Sequence, residues 1–262
     1  LLTKRVAALD IKDNDFEEFK KGIEIFDQSF RSDALEIWKA LRGDMAAGLG
    51  AESALVIDVN GSLPMVPQVP ELILKEGKMP RISYVSTVAD RAKLQLSWKR
   101  LNDSAENILK SVSEMAGEKI PMQVPMSSVK NDLTTWFIPI PFQNDDFVPS
   151  VSVSDELFFV STSKLFSEGL AERLKQGGGE SRKGAWLRVD FKVLHGYAQQ
   201  WLDLVEKNAD EVIPTESMRE DFTANKPMIK KAMQAFSSLE DLTLHARNEN
   251  GRSRMSLHLK VK

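Results

Sequence analysis

The last 23 residues of the chain, Glu240 to Lys262, have the pattern of a β-hairpin, and this pattern restricts the fold more than any other part of the sequence. Asn250 and Gly251 stand between two alternating segments and favour a two-residue type I′ turn, because both central residues of that turn need a positive φ. The resulting register pairs apolar with apolar side chains on one face and polar with polar on the other. A sheet with one polar face is antiparallel, which excludes a purely parallel α/β fold. The side chains predicted to face the core are Leu242, Leu244, Ala246, Met255, Leu257 and Leu259.

The rest of the sequence predicts an α+β fold, with an antiparallel or mixed sheet packed with helices, an N-terminal helical hairpin and the C-terminal β-hairpin. Aromatic and aliphatic residues at spacings of three and four predict the helical hairpin over residues 14–50. We therefore predict a helical hairpin at 1–50 and an α+β body at 51–262. The tripeptide Val-Ser-Thr occurs twice where a strand ends and a helix starts, which suggests a weak internal duplication of 54–132 and 133–262.

Several local signals predict the limits of individual elements. A stripe with steps of three and four predicts the core-facing side of one long helix. The stripe consists of Leu94, Trp98, Leu101, Ala105, Ile108, Val112 and Met115. A strand is predicted at Ala54–Val59, and it ends at the turn pair Asn60-Gly61. A capping box from Thr87 to Asp90 predicts the start of the long helix, and Gly117 predicts its end. The helical segment 215–237 is predicted to break near Pro227.

The composition excludes several partners and chemistries. Lys and Arg number 35 against 38 Asp and Glu in a mixed pattern, so we predict no nucleic-acid partner, which would need a basic stripe. The longest apolar run, Trp136–Phe142, has seven residues where a membrane-spanning helix needs about 20, so we predict no transmembrane segment. The 262 residues contain no cysteine, which excludes disulfides, thiolate nucleophiles and Cys-ligated metals within them.

The three histidines do not predict a metal site. His245 and His258 would be diagonal neighbours on the polar face of the hairpin, about 7–8 Å apart at Cα. No third ligand stands at a telling spacing, and the H-E-x-x-H motif is absent. His195 stands at a helix start, where a capping or surface role is the simpler interpretation. We therefore predict no metal and no cofactor.

Two carboxylates and one short motif are candidates for acid/base or nucleophilic chemistry. Asp58 and Asp190 each stand within an otherwise apolar strand, and a buried carboxylate with a raised pKa can be a general acid or base. Alternation explains both more simply, as salt-bridged or solvated positions. Ser161 and Lys164 match S-x-x-K, but the companion motifs S-D-N and K-T-G are absent. A hydrolase-like enzyme with a site around Asp58, Asp190 or His195 is therefore the alternative, not the first interpretation.

The least ordinary feature is a set of three extended, proline-rich apolar segments, Pro64–Pro70, Ile120–Met126 and Trp136–Phe142. Proline removes backbone donors and stiffens an extended chain, and methionine adapts to varied apolar partners. We expect at least two segments to lie next to each other and to form a binding surface where they stay open. Buried connections and edge strands are the other explanation. The predicted binding residues are Met65, Val66, Met122, Met126, Trp136 and Phe137.

The stretch Lys78–Leu94, in which a proline-containing loop precedes a strand and an Asp-Arg helix start, resembles a segment of uncharacterised exported bacterial proteins of the domain-of-unknown-function type. The resemblance covers about residues 54–116, and it implies export without any assigned chemistry. The chain begins with Leu1, which either a trimmed sequence or a removed export signal explains. We therefore expect a non-enzymatic protein of the periplasm or cell envelope that binds a partner protein or an apolar ligand.

Overall fold

The computed structural model describes residues 14–118, 125–139, 144–177, 183–249 and 251–262. The α-helices are α1 Asn14–Ser29, α2 Arg31–Lys39, α3 Ala46–Gly48, α4 Glu71–Glu76, α5 Arg91–Ala116, α6 Lys164–Lys175, α7 Phe191–Lys207, α8 Ala209–Val212 and α9 Glu216–Phe236. A π-helical turn covers Ala40–Met45, and a 3-10 turn covers Asp145–Phe147. The strands are β1 Leu49–Ser62, β2 Lys78–Val88, β3 Met126–Lys130, β4 Leu133–Phe137, β5 Ser150–Val153, β6 Leu157–Ser161, β7 Ala185–Asp190, β8 Leu239–Glu249 and β9 Arg252–Val261.

The described strands form two antiparallel sheets. One sheet has the order β1-β2-β6-β5-β4-β3, and the other has the order β7-β8-β9. Helices precede the first strand, and the β8–β9 hairpin closes the chain. These features confirm the predicted α+β class with its N-terminal helices and C-terminal β-hairpin.

The chain divides into two compact units, which differ from the predicted division at residue 50. The first unit comprises Leu1–Ala54, Tyr84–Pro139 and Val151–Phe159. Within it, α5 packs against α2 and against the π-helical turn, and it ends at Gly117, whose φ of 69° lies in the left-handed region that favours glycine. The core cluster of this unit contains Leu94, Val151, Val153 and Phe158.

The second unit comprises Leu55–Ser83, Ile140–Ser150 and Val160–Lys262, and it contains the β7-β8-β9 sheet. Helix α7 packs against β8, the central strand of that sheet, and α9 packs against α7. Lys226 and Lys230 on α9 both form ion pairs with Glu206 on α7. The buried apolar side chains of this unit are Val59, Ile73, Val148, Phe166, Leu170, Ala171, Leu202 and Leu204.

Gly61 lies inside a strand and not at a turn. The pair Asn60-Gly61 predicts the end of a strand, but β1 continues to Ser62. A Cβ at position 61 would lie 2.7 Å from the side chain of Arg81 and 2.9 Å from the carbonyl oxygen of Met79. The close approach of two strands therefore requires glycine at this position, and no turn is involved.

Two helix predictions need correction. The capping box predicts Thr87 as the cap of α5, but Asp90 is the N-cap and accepts a hydrogen bond from the N–H of Lys93 at 3.1 Å. The predicted break near Pro227 is not observed, because α9 runs without interruption from Glu216 to Phe236. Proline inside a helix removes one backbone hydrogen bond, and here the surrounding turns continue the helix in spite of that loss.

The closing hairpin has the predicted register but not the predicted burial. Every predicted cross-strand pair is present, and Gly251 has a φ of 72°, while Asn250 lies outside the described residues. Met255, Leu257 and Leu259 on β9 are 73%, 61% and 51% exposed, so the prediction that they face the core is wrong. Alternation identifies an apolar face of a strand, but it does not show whether another element packs over that face. Helix α7 packs against β8, and β9 is the outer edge of the sheet.

Candidate functional site

A groove in the first unit combines two tryptophan side chains with a polar rim. Five of its residues lie on α5 at positions i, i+3, i+4, i+7 and i+8, which places them on one face of the helix. The groove has a volume of about 420 Å³, which falls within the usual size of small-ligand sites. The residues that line this tryptophan groove are Gln95, Trp98, Lys99, Asn102, Asp103, Pro125 and Trp136.

The pairing of β3 with β4 determines which side chains of this hairpin face the groove. Ser127 pairs with Trp136, and Pro125 stands two residues before Ser127, so alternation places all three on one side. Met126 pairs with Phe137 on the opposite side. This pairing shows that the described ends of two proline-rich segments are adjacent, because Met126 ends the second segment and Phe137 belongs to the third, while residues 120–124 and 140–142 of these segments lie outside the described residues.

The tryptophan groove presents carbon at its base and polar groups at its rim. Trp98 and Trp136 pack against the core cluster, whereas Gln95, Lys99 and Asp103 are exposed. The indole Nε1 of Trp98 is buried and has no hydrogen-bond partner among the described residues, so the accessible part of this ring is carbon. Lys99 and Asp103 have no ion-pair partner in the described part of the chain, which leaves one cation and one anion available.

Trp136 is the one predicted binding residue that lines this groove in the part of the chain that the structure describes. Met126 is exposed, but it lies on the other face of the β3–β4 hairpin. Met65 and Val66 are exposed in the second unit, in the segment between β1 and α4. Met122 lies outside the described residues. The helix face of α5 therefore supplies most of the groove, and Trp136 supplies the contribution of the predicted set among the described residues.

Asp58 belongs to a charge cluster around Arg81 in the second unit. Arg81 donates from Nε and Nη2 to Oδ1 of Asp58 at 2.9 and 2.6 Å, and from Nη1 to Oδ1 of Asp146 at 2.7 Å. The Ser163 hydroxyl and the backbone N–H of Ser62 also donate to Asp146, at 3.1 and 2.9 Å. Both carboxylates are therefore paired and hydrogen-bonded, which is how buried charges are retained in folded proteins.

The electrostatics of this cluster do not suit a general acid. Burial would raise the pKa of Asp58, but hydrogen bonds from the N–H of Asn60 and from Arg81, together with the Arg81 charge, lower it below the usual carboxyl value. Burial would also raise the pKa of Asp146, but hydrogen bonds from the N–H of Ser62 and then from Arg81 lower it. A proton donor at neutral pH needs a raised pKa, so this cluster stabilises the fold of the second unit.

Asp190 precedes α7 and His195 lies within it, in two different environments. Asp190 is the N-cap of α7 and accepts a hydrogen bond from the N–H of Val193 at 3.2 Å. His195 lines a second groove, of about 440 Å³, together with Asp203. The Asp203 carboxylate accepts a hydrogen bond from Gln199, and His195 has no hydrogen-bond partner among the described residues. A base of the hydrolase type needs an orienting partner, and no such pair is formed here.

The S-x-x-K motif is part of a helix start. Ser163, and not Ser161, is the N-cap of α6 and accepts a hydrogen bond from the N–H of Phe166. The Ser161 hydroxyl donates to the carbonyl oxygen of Ser163 at 2.8 Å. The Nζ of Lys164 lies 3.9 Å from a carboxylate oxygen of Glu168, one turn along the helix. The Ser161 hydroxyl and the Lys164 ammonium are thus both engaged in local contacts around the helix start.

The histidines on the closing hairpin do not converge on a metal site. His245 and His258 are diagonal neighbours, as predicted. The ring of His245 stacks on Trp186, with ring centres 3.8 Å apart, and its Nε2 lies 2.9 Å from the carbonyl oxygen of Lys183. Within the described ranges, no three His, Cys, Asp or Glu side chains are grouped closely enough to hold a metal ion.

Comparison of the sequence with protein-family models and with curated proteins finds no significant match, and comparison of the fold with solved structures finds none either. In the described part of the chain, no helix combines the length and the apolar composition needed to cross a membrane. The geometry of the tryptophan groove is therefore the main basis for a functional interpretation.

Proposed function

We propose that this protein is a non-enzymatic binding protein of the bacterial cell envelope, and that its tryptophan groove holds an apolar or aromatic side chain of a partner protein. The observation that carries the proposal is the pair of half-buried indoles, Trp98 and Trp136, beside an open volume of about 420 Å³. Tryptophan is enriched among the residues that dominate protein–protein affinity, because it offers a large apolar area with few rotatable bonds.

The rim favours a peptide over a purely apolar ligand. Gln95 and Asn102 carry amides that can donate to and accept from peptide groups, and Lys99 and Asp103 add one charge of each sign. A site of this kind fixes orientation through its polar groups and gains affinity through the apolar contact. A long acyl chain could form neither hydrogen bonds nor ion pairs with these four polar side chains.

An envelope location is part of the same proposal. It rests on the resemblance of residues 54–116 to exported bacterial proteins. Osmotic-shock fractionation of bacteria that express the full-length gene tests it. Recovery of the protein with periplasmic markers is expected, and recovery with cytoplasmic markers only would contradict the proposed location.

The binding proposal is tested by nuclear magnetic resonance with N-acetyl-leucyl-phenylalaninamide as the probe. The indole N–H signals of Trp98 and Trp136, assigned through single Trp→Phe variants, are expected to shift in a saturable way during titration. Trp38 is a matched reference, because it lies on α2 of the same unit, is 57% exposed and does not line the groove. Its signal should not move.

The matched variants are Trp136→Ala and Trp38→Ala. The first should abolish the saturable shift of the remaining groove signal, and the second should leave it unchanged. Equal shifts at all tryptophans would mean general adsorption, and the absence of any saturable shift would refute the assigned groove. Cleavage of the probe during the titration would overturn the non-enzymatic part of the proposal.

A further inference from the structure

The outer edge of strand β9 in the second unit is open for pairing. β9 is a terminal strand of the β7-β8-β9 sheet, and all ten of its residues are exposed. No described strand pairs with its outer side. Its sequence contains no proline, which in other proteins blocks pairing at exposed edges. The unpaired backbone groups along this edge can therefore accept an additional strand.

One face of β9 is apolar and uncovered. Its residues Met255, Leu257, Leu259 and Val261 are 73%, 61%, 51% and 52% exposed. The exposed row continues across the sheet, because Leu187 on β7 is 50% exposed and aligns with Leu257 through the pairs of both strands with β8. A contiguous apolar surface of this kind on a folded protein usually marks an interaction site.

The other face of β9 is basic. It carries Arg252, Arg254, His258 and Lys260, with Ser256 between them and no acidic residue. Lys260 forms an ion pair with Glu240 on β8, but the remaining three basic side chains have no ion-pair partner among the described residues. Arg254 lies directly opposite Arg247 on β8.

We infer that the β9 edge is a docking site for an extended acidic segment of a partner protein, which adds to the sheet as a fourth strand. The added strand would place apolar side chains beside Leu257 and its neighbours, and carboxylates beside Arg254 and His258. Backbone hydrogen bonds then supply affinity, while the alternating side chains supply selectivity. This surface belongs to the second unit, and its inference does not depend on the tryptophan groove.

The basic charge of β9 disfavours the binding of a second copy of the same chain at this edge. In an antiparallel pairing of two β9 strands centred on Ser256, Arg254 would oppose His258 and Arg252 would oppose Lys260. A shift of two residues still opposes basic side chains, Arg254 to Lys260 or Arg252 to His258, and a shift of one residue would pair basic positions of one strand with apolar or serine positions of the other. An acidic strand instead places carboxylates opposite these basic side chains.

The test uses a fluorescently labelled eight-residue peptide of alternating glutamate and valine, with fluorescence anisotropy as the readout. Saturable binding to the full chain is expected at low salt, with weaker binding as salt is raised. A peptide of alternating lysine and valine should not bind. The same acidic peptide with two central valines replaced by proline should also fail, because proline removes the backbone donors that strand addition needs.

Two charge reversals on the same face of the sheet provide a matched comparison. Arg254→Glu lies on the β9 edge, whereas Arg188→Glu lies on β7, the opposite edge. Arg254→Glu is expected to weaken binding by about tenfold or more and to create binding of the lysine-valine peptide, while Arg188→Glu should change affinity by less than about twofold. Circular dichroism confirms that each variant is folded.

Three results would overturn the inference. One is equal affinity of the proline-containing peptide, since this would reduce the interaction to ionic adsorption. The second is equal loss of affinity in both charge-reversed variants, or no binding of the acidic peptide at all. The third is a dimer of the protein alone, seen by sedimentation velocity, in which the backbone amides of β9 are protected from hydrogen exchange, because a second copy would then occupy the edge.

Discussion

Replacement of Arg81 by methionine should destabilise the second unit through the two carboxylates that it leaves behind. Arg81 and Asp146 expose 15% and 6% of their side chains, and Asp58 exposes 21%. Methionine retains much of the aliphatic length but removes the charge and all donors. Breaking a buried pair by removing one partner costs about 3–5 kcal/mol, and we expect about 3 kcal/mol here because Asp58 keeps partial access to water.

The dependence on pH separates charge from packing. In the wild type the pKa values of Asp58 and Asp146 are lowered by folding. Their contribution to the free energy of unfolding is therefore complete above the unfolded pKa of about 3.9, and it is lost as the pH falls through the pKa values of the folded state. Without Arg81, burial still raises both pKa values while the lowering by the Arg81 hydrogen bonds and charge is lost, so both pKa values rise relative to the wild type and acid destabilises the variant less through these groups. The difference between the two proteins should therefore be largest at pH 7 and shrink toward pH 3.

Urea unfolding followed by circular dichroism at both pH values measures this difference, provided that the slope of the transition stays constant. Lys75→Met is the matched control, since it removes an exposed cation that pairs with Glu71 and should leave the midpoint unchanged. Arg81→Met combined with Asp58→Asn and Asp146→Asn should be more stable than Arg81→Met alone. A loss of stability that does not depend on pH would refute the reasoning. The cost would then come from the lost contact between the Arg81 guanidinium and the ring of Phe166, whose centre lies 4.9 Å away.

Other predictions follow from burial, backbone and charge. Leu257→Ala should cost about 1 kcal/mol or less in urea unfolding, because Leu257 is 61% exposed, whereas Leu202→Ala, at a position 8% exposed, should cost about 2–5 kcal/mol. Gly184→Ala should cost about 1–3 kcal/mol, because φ is 92° and the new Cβ would lie 2.4 Å from a carbonyl oxygen, while Gly169→Ala in α6 should stabilise slightly. Hydrogen bonds from two lysines lower the pKa of Glu240 to about 2, and carbon-13 NMR titration should find this value and a rise when either lysine is replaced.

The residues of the turn and of the two strands made the register of the closing hairpin predictable, but they do not determine which of its side chains are buried. The need for positive φ at the turn and the alternation of apolar residues specify which residues oppose each other, such as Leu244 and Leu257. Whether Leu257 is covered depends on where α7 and α9 pack, and their positions follow from the whole second unit. The same limit explains Gly61, whose role comes from a strand distant in sequence.

The tryptophan groove was only partly predictable for a related reason. Trp98 falls on the apolar stripe of α5, and the sequence does not distinguish a fully covered position from one at the border of the core. Trp136 was identified because proline and aromatic residues cluster around it. The pairing that brings it beside Pro125 runs through β3, Met126–Lys130, whose polar Ser-Ser sequence carries little strand signal.

The two proposed surfaces should respond differently to ionic strength, and this difference can assign the contribution of each to a natural partner. Contact with the carbon surfaces of Trp98 and Trp136 gains free energy from apolar burial, which moderate salt changes little. Pairing with β9 depends on Arg252, Arg254 and His258, which are exposed, so their attraction to carboxylates is screened beyond about 8 Å at physiological salt. A partner that binds through the groove should keep its affinity from low to high salt and lose it in Trp136→Ala. A partner that binds through β9 should lose affinity with salt and in Arg254→Glu, and both losses together would identify a partner that uses both surfaces.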